Sequence, residues 1–103
     1  MGFESMPKPK KTLAEIIGEP KEVDDRIDAL KKDFEPGLAD RNLEELRLIV
    51  SKRTEKAKEF IRIRDKQLQG GDPEGAIPDL QRRIEELLAE KRAAEDLIQE
   101  KQK

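Results

Sequence analysis

The side chains that could do chemistry in this chain are carboxylates, amines and guanidiniums. It has no His, Cys, Tyr or Trp, and its only hydroxyl side chains are Ser5, Thr12, Ser51 and Thr54. Adjacent carboxylates occur at Glu44-Glu45 and Glu85-Glu86. Neighbours on a helix point about 100 degrees apart, so neither pair can jointly hold one ion. Asp72 and Glu74 put two more carboxylates in a turn, which falls short of a calcium or magnesium donor set. A helix cap and a turn account for both. General acid or base work needs a carboxylate in a pocket, and a thin bundle with three Phe offers little pocket. We therefore expect no catalytic residue, metal site or cofactor, and no enzyme acting on a small molecule.

Two arginines stand out for a different reason. Arg53 and Arg64 fall near the middle of an apolar helical arc, where packing alone would favour Leu. Such a long stem packs in the groove while its guanidinium snorkels to a carboxylate, for which Glu90 and Glu95 on a returning helix are candidates. The alternative is a polar pair that sets helix register or meets an acidic partner. The same helix carries eight bases against five acids. Arg47, Lys58, Arg62 and Lys66, with the lysines near the N-terminus, are the set that could lie along phosphates. No helix-turn-helix, zinc finger or stacking aromatic accompanies them, which favours a solvated face.

The elements that position these residues follow from spacing. Two amphipathic stretches, Leu43 to Gln69 and Ile77 to Glu100, flank the breaker Gly70-Gly71-Asp72-Pro73-Glu74-Gly75. Leu43, Leu46, Ile49, Val50, Ala57, Phe60, Ile61 and Leu68 share an arc of roughly 120 degrees, wide enough for two neighbouring helices. In the return stretch Leu80, Ile84, Leu87, Ala94 and Ile98 keep a heptad-like rhythm interrupted by Lys91, and Leu88 and Leu97 widen it. Asn42 suits an N-cap, with Glu45 three residues on. Two prolines near the start of the return helix place its first turn at Pro78, with Asp72 capping a separate turn.

Upstream, Val23, Ile27, Leu30 and Phe34 form a narrow stripe ended by Pro36-Gly37, and Asp28 has Lys32 at the i, i+4 spacing. Thr12 to Glu15 has capping-box spacing, but Gly18 and Pro20 stop that helix within two turns, so Leu13, Ile16 and Ile17 must dock or stay mobile. The predicted organisation is a flexible tail over 1–11 and one helical domain over 12–103, with helices at 12–17, 21–34, 42–69 and 78–101.

Composition limits what this domain can be. At 103 residues with 45% charged side chains, the chain can bury one modest core. The ordered apolar spacing and the balance of 22 bases against 24 acids favour folding over disorder. A net charge of -2 gives no global pull toward nucleic acid or anionic lipid. No apolar run approaches a membrane span and no secretory stretch opens the chain, so a cytoplasmic location without membrane contact is expected. Met6 stands where N-myristoylation after Gly2 requires Ser or Thr.

The expected fold is all-α: a long antiparallel helical hairpin, coiled-coil-like, with a shorter N-terminal helix packed on it, in a dimeric helical bundle. The expected function is a non-catalytic protein–protein interaction module, an adaptor, assembly or small regulatory protein. Its partners would be itself, as a homodimer, and a second protein the sequence does not identify. Its interface would draw on Leu46, Ile49, Val50, Arg53, Phe60, Ile61, Arg64, Ile84, Leu87, Leu88, Leu97 and Ile98. The alternative is a nucleic-acid accessory protein using Arg47, Lys58, Arg62 and Lys66. The run Ile77-Pro78-Asp79-Leu80-Gln81-Arg82-Arg83-Ile84-Glu85 is similar to a stretch of the tubulin-binding cofactor A family, small three-helix chaperones. The likeness covers nine residues and the helix lengths around it differ from that family's, so no property is carried over.

Overall fold

The structure, a computed structural model, describes residues 12–72 and 74–102. The tail expected over 1–11 lies outside them. The described residues form four α-helices and no strand: α1 (Leu13–Ile17), α2 (Pro20–Leu38), α3 (Leu43–Gln69) and α4 (Ile77–Gln102).

Local chemistry accounts for most of the ends. Thr12 Oγ1 accepts from the Glu15 amide at 3.3 Å, and Asn42 Oδ1 accepts from the Glu45 amide at 2.8 Å, so both N-caps occur where the spacing put them. Gly18 takes φ +98°, a conformation that an L side chain rarely adopts, and Pro20 then opens α2 at a first-turn position where its missing N–H costs nothing. Asp72, at φ +52°, accepts from the Ala76 amide at 2.8 Å and the Ile77 amide at 3.3 Å. That cap starts α4 at Ile77, one residue before the expected start, and leaves Pro78 in the first turn.

The end of α2 departs from the sequence reading. The helix runs through Pro36 and Gly37 to Leu38 instead of stopping at Phe34. An internal proline costs about 3 kcal/mol. Against that, Leu38 continues the four-residue spacing from Phe34 and is 7% exposed, in a cluster with Leu46, Ala93 and Ala94. Burying a leucine side chain recovers about 1.5–3 kcal/mol, and Phe34 packs on the same cluster, so the packed stripe extends past the breaker.

Burial is concentrated in α4. Among the described residues it holds eight buried positions, Ile77, Gln81, Ile84, Glu85, Leu87, Ala89, Ala93 and Ala94, whereas α2 and α3 hold two each and α1 none. At 100 degrees per residue those eight spread over about 260 degrees of the helix surface. An arc so wide requires neighbours on more than one side, and α1, α2 and α3 all pack on α4. The apolar arc of α3 is wide enough for two neighbours, but within the chain it is α4 that is flanked on several sides. Ala89, Ala93 and Ala94 let flanking backbones approach closely, an advantage invisible to a count of large apolar residues. Partners on α3 fall in reverse order along α4, with Arg53 at Glu90 and Arg64 at Gln81. Partners on α2 fall in the same order, with Arg26 at Glu85 and Lys31 at Asp96.

Two leucines two residues apart on α3 separate core from surface. Leu46 is 0% exposed and Leu48 is 54% exposed. Leu46→Ala is expected to cost about 2–5 kcal/mol and Leu48→Ala less than about 0.5 kcal/mol, as urea denaturation followed by circular dichroism would show. Equal losses would contradict this packing.

Candidate functional site

Gln81 and Glu85 lie one helical turn apart on α4 and are the two buried polar residues among those described, at 4% and 5% exposure. Gln81 Nε2 donates to Glu85 Oε2 at 2.8 Å. From α2, Arg26 donates Nε to Glu85 Oε1 and Nη2 to Glu85 Oε2, each at 2.8 Å, the forked pairing that matches guanidinium to carboxylate. The same Nη2 donates to the carbonyl of Ile17 at 2.6 Å. From α3, Arg64 Nη1 donates to Gln81 Oε1 at 2.6 Å, and Arg64 also bonds Asp65. One hydrogen-bonded path therefore joins all four helices. Among the described residues, no buried side-chain nitrogen or oxygen is left without a partner.

Burial pushes the Glu85 carboxyl up, but the hydrogen bonds from Arg26 and Gln81 and the Arg26 charge outweigh it and hold the group below its ordinary value. The hydrogen bond to Glu85 in turn raises Arg26. A second set of clamps lies further along α4. Arg92 reaches Asp24 at 2.5 Å and Asp28 at 3.0 Å, and Lys31 reaches Asp96 at 2.6 Å. Asp28 thus pairs with Arg92 on α4, not with Lys32 one turn along its own helix as the spacing suggested. Desolvation opposes the Arg92 charge, yet its two aspartates raise its pKa, and the Asp96 hydrogen bond raises Lys31.

The short helix α1 docks on the same end of α4, closing one of the questions its length left open. A groove of about 410 Å³ runs between Leu13, Ala14 and Ile17 of α1 and Val23 and Ile27 of α2, with Arg64 and Gln81 also lining it. On the other side of α1, about 400 Å³ lies among Ile16, Arg26, Pro78 and Glu85. Arg26, Arg64, Gln81 and Glu85, which line these grooves, already bond to one another, so the arrangement ties helices together and leaves no carboxylate oxygen of Glu85 unbonded. Glu86 diverges from Glu85 and pairs with Arg83 at 3.5 Å.

The interface residues expected from sequence fall into three groups. Leu46, Ile84 and Leu87 are buried within the chain, at 2% exposure or less, and so are removed from a partner's reach. Arg53 bonds Glu90 at 3.1 Å, one of the two partners its position suggested, and Arg64 is held by Gln81 and Asp65. Ile49, Val50, Leu97 and Ile98 pack around the core cluster and are only partly buried, as are Phe60, Ile61 and Leu88. Arg47, Lys58, Arg62 and Lys66 are all exposed on α3 and, among the described residues, make no ion pair. Sequence reasoning missed Arg26, Gln81, Glu85 and Arg92. One signal was available, since Gln81 sits in the spacing Ile77, Gln81, Ile84, Leu88, where an apolar residue would be expected.

No helix among the described residues is long and apolar enough to cross a membrane. No protein-family model, curated protein or solved structure matches this chain.

The Glu85 pair makes stability depend on pH with a definite sign. A carboxyl held below its unfolded value of 4.5 contributes fully above that value, and the contribution is lost as pH falls through the lower, folded value. Arg26→Met removes the opposing charge and leaves burial dominant, which pushes the Glu85 carboxyl above its ordinary value. That variant should lose about 2–4 kcal/mol near pH 7 and recover part of it near pH 5. Urea midpoints at the two pH values test this, and a variant that gains nothing on acidification relative to the parent chain would refute it.

Proposed function

We propose that this chain is a non-catalytic interaction module, an adaptor, assembly or small regulatory protein that works through amphipathic helical faces. In this reading α3 and α4 form an antiparallel, coiled-coil-like hairpin within a single helical domain over 12–103. Two copies associate as a homodimer, pairing hairpins around a four-helix core, and a further protein docks on the assembly in the cytoplasm.

One observation carries the proposal: the apolar arc of α3 is only partly covered. Leu43, Val50, Phe60, Ile61 and Leu68 are half-buried. Both exposed large hydrophobics among the described residues, Leu48 at 54% and Ile63 at 45%, belong to the same helix. Apolar surface left in water along one element commonly marks an interface.

A second reading has its own support. Arg47, Lys58, Arg62 and Lys66 are exposed without ion-pair partners among the described residues, as a helix lying along phosphates would need. Binding of that kind weakens steeply with salt.

Light scattering at micromolar concentration should return a dimer mass, and Phe60→Asp with Ile61→Asp should return a monomer that keeps its helical circular dichroism. A monomer mass for the parent chain would remove the homodimer. Gel-shift titration with duplex DNA at low and physiological salt should show no salt-sensitive complex, and a strong one would favour the second reading.

A further inference from the structure

We infer that the second copy packs its α3 antiparallel against α3, about a two-fold axis that crosses the helix pair at right angles between positions 55 and 56, so that Leu48 of each copy meets Ile63 of the other. This rests on the self-association reading above and names the surface through which it works.

The outward side of α3 carries the pattern. Leu46 and Ala57 are buried, and Arg53 and Arg64 bond to α4, which fixes the side that α4 covers. At 100 degrees per residue a second stripe, running from Glu45 to Lys66, is centred about 140 degrees round the helix from Leu46 and Ala57. Its members are exposed, and they include Leu48 and Ile63, the two exposed large hydrophobics among the described residues.

That stripe is a palindrome. In an antiparallel pair centred between 55 and 56, each position faces the one equally far from the centre on the other helix, and a two-fold axis makes every contact twice. Leu48 then faces Ile63, and Lys52 faces Glu59. Glu55 faces Lys56, and Glu45 faces Lys66. Apolar meets apolar and each charge meets its opposite. Lys52, Glu55 and Lys66 make no ion pair among the described residues. Glu45 and Lys56 hold exposed neighbours on the same chain, Arg41 at 3.1 Å and Glu59 at 3.6 Å, weak pairs that leave both free to turn across the seam.

Other alignments lose this match. A parallel two-fold pair sets each residue beside its own copy, lysine by lysine and glutamate by glutamate. Sliding the antiparallel partner by one heptad puts Lys52 against Lys52 and Glu45 against Glu59 in one direction. In the other it puts Lys52 against Lys66 and Glu59 against Glu59. Like charges across a seam cost energy.

The seam also reaches the partly covered apolar arc. The axis leaves α4 of both copies on the same side of the α3 pair, and Ile49 and Phe60, both half-buried, stand on that side of the stripe. Ile49 lies within about two residues of level with both Phe60 and Ile63 of the other copy. Each end of the seam thus gathers Leu48 and Ile49 from one chain with Phe60 and Ile63 from the other, and the charged pairs occupy the middle.

Cysteine placement tests the register, since the chain has no cysteine of its own. The full chain carrying Leu48→Cys together with Ile63→Cys should form a covalent dimer on oxidation at micromolar concentration, read on a non-reducing gel. Either change alone should give little, because two copies of one position stand about 22 Å apart along an antiparallel pair, whereas a disulfide needs Cβ atoms about 4 Å apart. In sedimentation equilibrium the parent should be dimeric, and Leu48→Asp and Ile63→Asp should each associate at least about tenfold more weakly. A parent dimer that both aspartate variants keep, or single-cysteine chains that cross-link as well as the double one, would overturn the seam while leaving self-association standing. A monomeric parent would end both readings.

Discussion

A carboxylate sits inside this bundle, and its need for partners constrains the arrangement around it. Glu85 is 5% exposed, and moving an ionised carboxyl out of water costs several kcal/mol unless its oxygens are met. Both are met, by Arg26 from α2 and Gln81 from α4 itself. Arg26 then reaches the last carbonyl of α1, and Gln81 receives Arg64 from α3. Any slide of α2 or α3 by a turn would strand a buried charge or amide. The network adds little net stability over an apolar replacement of the same shape, but it penalises wrong alignments heavily.

Around that network the apolar core sets the overall arrangement. Small side chains on α4 admit close neighbours, and the larger residues Phe34, Leu38, Leu46 and Leu97 fill the end where α2 gives way to α3. Covering α4 so fully leaves α3 with fewer neighbours than its apolar arc can accept. Half-buried apolar residues and cations without an ion-pair partner among the described residues therefore coincide on one helix. That coincidence supports the reading of a protein that works by being held.

How much could be read in advance depended on whether the determinant was local. Caps at Thr12 and Asn42 involve residues three positions apart and appeared where their side-chain chemistry placed them, whereas Asp72, expected to cap a separate turn, caps the start of α4. Arg53 found Glu90 because a long stem in an apolar groove needs an acid across the seam, and the turn at 70–75 limits which acids can arrive. Pro36 reads locally as a stop because its cost is local, while the compensation, Leu38 in the core, comes from α3 and α4. Asp28 departs from its local spacing for a similar reason. A surface pair one turn away is worth a few tenths of a kcal/mol, and Arg92 on α4, part-desolvated and meeting two aspartates, competes better.

Periodicity and capping act over a turn or less, so the all-helical class, the breaks between α1 and α2 and between α3 and α4, and the two N-caps at Thr12 and Asn42 follow from local sequence, whereas the end of α2 does not. Which helix would be surrounded, and that Glu85 rather than Arg53 or Arg64 would anchor the interior polar network, were decided only when the helices met. Those outcomes depend on how closely alanine faces let backbones approach and on which charges lose their water. Both quantities belong to the packed assembly and to no single stretch of chain.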